Sequence, residues 1–283
     1  MNSRLLSISV LLAAPAFAQL PAPNAMGVSA GHDVLRAKDI PAANKFWQDL
    51  GGEPVQFAGR LNLIKFPGLL ILEVGAGNNQ GKNKQEPPPP APELLGSEGS
   101  SLDFISFSVK DLKASLAKWA AAGIKPLPGG NNKQVFLLTP DKIKVRITED
   151  KSQSAPIVSD KIKMMVPDVK AAQEWYEKNL GAKLVKRGGE TVADIPGHSI
   201  IFEKAKGPVA ITKGRAYDRI GIEAVDADAL YKKLEANGVK FDSPYRYTEA
   251  MKAGFAVFQD PWGTLIEISQ GLDRKSTRLN SSH

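Results

Sequence analysis

Four times along the chain, a short run of alternating apolar and polar residues leads to an aspartate. An amphipathic segment follows, closed by a glycine roughly a dozen residues later. The alternating runs are His32 to Leu35, Phe104 to Phe107, Lys161 to Met164 and Arg219 to Ile222, and period two with large apolar residues predicts strands. The segments after them start at Asp39, Asp111, Asp168 and Asp226, whose carboxylates can cap a helix by accepting backbone N–H bonds. Gly51, Gly123, Gly181 and Gly238 can take the left-handed conformation that ends one. Copies one and three share an aromatic pair at the same offset, Phe46-Trp47 and Trp175-Tyr176, whereas copies two and four end in Gly-Ile-Lys and Gly-Val-Lys, so the repeat is a doubled pair.

More strand pattern follows each helix. In the fourth copy, Gly254 to Phe258 runs through the turn residues Asp260-Pro261-Trp262-Gly263 into Thr264 to Ile268, and copies one and three place Pro67-Gly68 and Pro196-Gly197 in turns. Each module therefore reads as βαβββ, an α+β unit that leaves one sheet face uncovered alone, so modules must pack in pairs. The composition shift at Glu149 to Ser159 suggests a linker between modules one with two and modules three with four.

The run Phe258-Gln259-Asp260-Pro261-Trp262-Gly263-Thr264-Leu265-Ile266-Glu267-Ile268 resembles the ending of the vicinal oxygen chelate superfamily, which includes glyoxalase I, bleomycin-resistance proteins and extradiol dioxygenases. The second copy keeps only Thr139-Pro140-Asp141 of that turn, and the first and third match by pattern. The resemblance implies two glyoxalase-like domains with curved mixed sheets and helices outside. On this reading they are residues 26–150, carrying a Pro-rich excursion at 75–101, and 158–272.

Residues 1–18 are set outside the fold. Arg4, the short apolar stretch Leu5 to Ala14 and Ala16-Phe17-Ala18 have the form of a cleavable secretory signal, which predicts a secreted or periplasmic chain beginning at Gln19 with no membrane span. With no cysteine, stability must come from the core. Residues 274–283 (RKSTRLNSSH) lack periodicity and resemble translated adapter sequence, so they are read as a non-native tail. Leaving out Arg4, Arg274, Lys275 and Arg278 lowers the formal charge of +7 by four, and the remaining cations are scattered, which argues against nucleic acid as a partner. The glycine-rich stretch Gly75 to Asn83 fails as a phosphate loop, because Ala76 and Asn83 stand where Gly and Ser or Thr are required.

In metal-using members of the superfamily, the resemblance places ligands on the first and last strands of each module. The first-strand positions here hold His32, Phe104, Lys161 and Arg219; the last-strand positions hold Arg146 and Glu267, with Leu72 or Glu73 and Phe202 or Glu203 as open alternatives. Phenylalanine has no donor and lysine and arginine repel a cation, so no metal or other cofactor is expected. The alternative is a divalent metal on His32, Glu73 and Glu267. Phe104 and Trp262 read as packing residues, and His198, after Pro196-Gly197, falls in a turn.

The leading expectation is a metal-free binder of a small molecule, with Lys161, Arg219, Arg146, His32 and Glu267 as ligand-binding residues and the cations favouring an anion. Arg219 and Glu267 are expected to pair in one cleft through two parallel hydrogen bonds. The alternatives are a metal-dependent lyase, isomerase or dioxygenase, and a non-catalytic interaction protein. Oligomeric state is not legible.

Overall fold

The computed structural model describes residues 20–76 and 93–272, together with the backbone of 276–278. Module one comprises β1 (Val28–Ala37), α1 (Ile40–Leu50), β2 (Glu53–Phe57), β3 (Leu61–Phe66) and β4 (Leu69–Gly75). Module two has β5 (Leu102–Val109), α2 (Leu112–Ala121), β6 (Gln134–Leu138) and β7 (Lys144–Glu149). Module three has β8 (Ile157–Val166), α3 (Val169–Leu180), β9 (Lys183–Arg187), β10 (Glu190–Ile195) and β11 (His198–Lys204). Module four has β12 (Tyr217–Ala224), α4 (Ala227–Ala236), β13 (Phe241–Thr248), β14 (Ala253–Gln259) and β15 (Leu265–Gln270).

All four aspartates cap their helices. Asp39, Asp111, Asp168 and Asp226 accept from the backbone N–H of Ala42, Ala114, Ala171 and Ala229 at 2.8–3.0 Å, each worth about 1 kcal/mol. The closing glycines all have positive φ, although in α2 and α4 the cap itself is Ala122 or Asn237 and the glycine comes next. Module two lacks one expected strand. Pro126 and Pro128 lie in the stretch that would form it, and proline removes ladder donors, so the chain there stays irregular up to β6.

The module pairing differs from the expected one. β1 runs antiparallel to β12 and β5 antiparallel to β8, giving a nine-stranded sheet β13-β14-β15-β12-β1-β4-β3-β2-β16, in which β16 is Ser276–Arg278, and a seven-stranded sheet β6-β7-β5-β8-β11-β10-β9. Module one thus joins module four, and module two joins module three. Chain connectivity explains the exchange. The turn at 150–156 leads straight from β7 to β8, so it is a connection within one sheet and not a linker, whereas the long run from β4 to β5 lets module two leave module one.

Within the 274–283 segment, the strand β16 (Ser276–Arg278) pairs with β2 at the edge of the larger sheet, where unpaired backbone groups accept an extended chain. The rest of that segment, the signal-like residues 1–18 and positions 77–92 of the Pro-rich excursion lie outside the described residues.

One apolar cluster continues beneath all four helices and joins the sheets. Trp47 of α1 meets Phe66 of β3 and Phe107 of β5 with ring centroids 6.3 and 6.0 Å apart. Tyr176 of α3 packs on Phe202 and Trp262. Both buried helix aromatics also donate to a buried carboxylate: Trp47 Nε1 to Glu73 at 2.7 Å, and the Tyr176 hydroxyl to Asp260 at 2.9 Å. Asp260, from the Asp-Pro-Trp-Gly turn, accepts from the backbone N–H of Trp262 and Thr264 as well, so that motif ties module four to the helix of module three. Among the described residues, no helix is long and apolar enough to cross a membrane.

Candidate functional site

Each sheet has a face turned away from its helices, and the two faces differ. On the nine-stranded sheet, Val55, Phe57, Leu63, Leu70, Ala253 and Leu272 form a second apolar cluster, with Leu20, Leu72 and Phe255 packed against it. Beside this plug lies a buried polar chain. His32 Nε2 sits 3.0 Å from Glu267 Oε1, Arg219 Nε donates to Glu267 Oε2 at 2.7 Å, and Arg219 Nη1 donates to Asp218 Oδ1 at 2.6 Å. Burial pushes the Glu267 carboxyl up, but the hydrogen bond and charge of His32, then the charge of Arg219, outweigh it and hold its pKa at about 2.

Arg219 and Glu267 therefore meet, though the guanidinium does not grip one carboxylate with two parallel bonds. It is shared between Glu267 and Asp218, because the Asp218 side chain is almost fully buried and needs its own partners. His32 approaches closely only because position 221 is glycine. A Cβ there would collide with the imidazole and with the His32 carbonyl.

Glu73 stays apart from this group. It points beneath α1 to Trp47, and burial raises its pKa to about 7, with Asp141 adding to the rise against the Trp47 hydrogen bond. The open alternative on β4 is thereby settled, since Leu72 takes the helix-free face and Glu73 the core. The donor set does not fit a divalent metal. Glu267 has both oxygens engaged, one by a cation; Glu73 lies across the sheet; and among the described residues no three His, Cys, Asp or Glu side chains converge. The set His32, Glu73 and Glu267 is not assembled.

On the seven-stranded sheet the helix-free face is polar and carries a cleft of about 840 Å³. Arg146 of β7 lies 4.7 Å over the Phe104 ring, donates from Nε to Ser106 Oγ at 3.2 Å, and reaches Glu190 with Nη1 and Nη2 at 2.9 and 3.2 Å. Lys161 of β8 donates to Asp160 at 2.9 Å and stands 3.6 Å from Glu190. Partial burial pushes the Glu190 carboxyl up, but Arg146 and then Lys161 hold it below the usual range. Further along, Lys144 pairs with Asp103, and Lys163 with Glu203. Glu203 thus takes the exposed side of β11, and Phe202 lies in the core against Tyr176.

The five expected binding residues therefore fall into two groups: His32, Arg219 and Glu267 on one sheet, Arg146 and Lys161 on the other. The exchange of modules separates Lys161 from Arg219 and His32 from Arg146. Phe104 is buried as expected, but it also supports a cation. His198 begins β11, where it is buried 3.6 Å from Asp33, whose other oxygen accepts from the Tyr217 hydroxyl at 2.7 Å. Sequence reasoning passed over Asp33, Ser106, Asp160 and Glu190. Glu190 alone had a legible signal: it follows Gly188-Gly189, a two-residue hairpin turn.

With these two faces described, the fold is that of the glyoxalases. Glyoxalase I from Zea mays superposes with a TM-score of 0.64 at 17% identity, covering 87% of this chain and 93% of that one. A putative dioxygenase from Bacillus subtilis superposes with a TM-score of 0.58 at 15% identity, covering 89% and 86%. At such identities the likeness concerns fold alone. No curated protein sequence matches the chain. Residues 159–268 match the family model of the Glyoxalase/Bleomycin resistance protein/Dioxygenase superfamily. The chain thus carries the sequence pattern of that superfamily over those residues and shares the glyoxalase fold over nearly its described length.

Proposed function

We propose that this chain is an exported binding protein that holds a small organic anion in the cleft of the seven-stranded sheet without a catalytic metal. The observation that carries the reading is the convergence of Arg146 and Lys161, two nearly buried cations, on one wall of that cleft. An arginine fixed between an aromatic ring and a hydroxyl is preorganised for a planar oxyanion, and little side-chain freedom remains to be lost on binding. Export rests on the pattern of residues 1–18 alone.

Among the described residues the metal-dependent reading finds no donor set on either face, and the interaction-protein reading leaves the polar cleft without a role. A thermal-shift screen of small organic anions against the wild type and Arg146→Ala tests the proposal. The expected result is at least one anion that stabilises the wild type and not the variant. A screen with no stabilising anion, or with equal stabilisation of both proteins, would overturn it.

A further inference from the structure

We infer that Glu190 is the built-in occupant of a carboxylate site formed by Arg146 and Lys161, and that a small hydroxylated monocarboxylate enters by displacing it. This rests on the reading of the seven-stranded cleft as the binding site. The cations are the fixed half of the arrangement. Their side chains are each 7% exposed, and Phe104, Ser106 and Asp160 hold them from sides that Glu190 does not touch. The carboxylate is the movable half. Its side chain is 36% exposed, it is the first residue after the Gly188-Gly189 turn, and its hairpin partner β9 is an edge strand exposed at every residue. A Cβ at Gly188 would lie 3.5 Å from Lys161 Nζ, so the turn roofs the site.

Rotation of the Glu190 side chain into solvent uncovers both cations without moving a strand. Charge then sets the valency of what replaces it. Arg146 and Lys161 remain opposite Asp160 alone, and the single unmatched positive charge calls for one carboxylate. The rest of the lining holds Lys133 and Arg187 against Glu149 and Asp150, which leave that balance unchanged, while Ser108 and Gln134 add a hydroxyl and an amide that suit a hydroxylated body better than an apolar one. A tethered competitor lowers apparent affinity by the fraction of time the site is free. If Glu190 occupies it about nine-tenths of the time, binding is weakened about tenfold.

The test is calorimetric titration of sodium gluconate and sodium glycolate, at constant ionic strength, into the wild type, Glu190→Ala, Glu190→Gln, Glu190→Ala with Arg146→Ala, and Asp194→Asn. Asp194 lies on the same hairpin and does not touch Arg146, but it pairs with Arg187, which lines the cleft, so Asp194→Asn removes an equal charge and releases a neighbouring cation while leaving Glu190 on Arg146 and Lys161. Both Glu190 variants should bind at least one of the two probes about tenfold more tightly than the wild type. The added Arg146→Ala should abolish the gain, and Asp194→Asn should not reproduce it. Unchanged, weaker or undetectable binding in both Glu190 variants overturns the inference, as does an equal gain in Asp194→Asn. An anion from the thermal-shift screen that binds through Arg146 with the same affinity in Glu190→Ala would leave the binding function standing while removing the role of Glu190.

Discussion

Arg219→Ala removes the cation that two buried carboxylates share. The Arg219 side chain is 24% exposed, against 10% for Glu267 and 2% for Asp218, so the carboxylates carry most of the loss. Breaking a buried pair costs about 3–5 kcal/mol, whereas an exposed pair is worth about 0–1 kcal/mol. Here Glu267 keeps His32, and Asp218 keeps the Gly214 N–H and Arg36 at 3.6 Å. The expected cost is therefore intermediate, about 2–4 kcal/mol at pH 7. It is read as the shift in urea midpoint at unchanged slope.

The cost should also depend on pH in a defined direction. The folded pKa of Glu267, about 2, lies below its ordinary 4.5, so its contribution to stability is present above pH 4.5 and is lost as pH falls through about 2. Without Arg219 that pKa rises, and the gap between variant and wild type should narrow between pH 4.5 and 2. A penalty below about 0.5 kcal/mol at pH 7, or one that stays constant down to pH 2, would refute the reasoning.

Glu73→Gln should stabilise the protein above pH 7. Burial raises the folded pKa of Glu73 from 4.5 to about 7, so the wild type loses stability as pH rises through that window, by up to about 3 kcal/mol; urea titrations at pH 4 and pH 8 should show the gain only at pH 8. Gly221→Ala should cost about 1–3 kcal/mol or more, since the new Cβ meets the His32 ring and carbonyl; an urea midpoint equal to wild type would show that the strands separate freely there. Mass spectrometry of the exported protein should find Gln19 as the first residue, and an intact Met1 would contradict cleavage.

The helices were legible because caps act locally. An aspartate before an amphipathic run and a glycine after it specify helix ends whatever the rest of the chain does, and all four aspartates cap as their spacing predicts. Module pairing was not legible from the strands, because the first strand of any module presents the same kind of edge to any other. What decides it is connection length, with a short turn from β7 to β8 and a long run from β4 to β5. That signal is in the sequence, but a short polar stretch such as 150–156 has the same composition whether it links domains or turns within one sheet. The site was half legible for the same reason. Arg219 and Glu267 lie in one module, so their meeting survived the exchange, whereas the approach of His32 to Glu267 and of Arg146 to Lys161 crosses between modules. The place of Glu190 after a Gly-Gly turn was legible, but its role was not, because that depends on which module faces β10 across the seven-stranded sheet.

The central proposal is that side-chain ion pairs, and not a metal, occupy the strand positions at which the sequence resemblance leads a metal to be expected. Elemental analysis of the protein purified without chelators tests it most directly. The account predicts no zinc, iron, nickel or manganese near stoichiometric level, before or after incubation with each ion and desalting. One such ion bound per chain, lost on replacing His32 or Glu267, would contradict it.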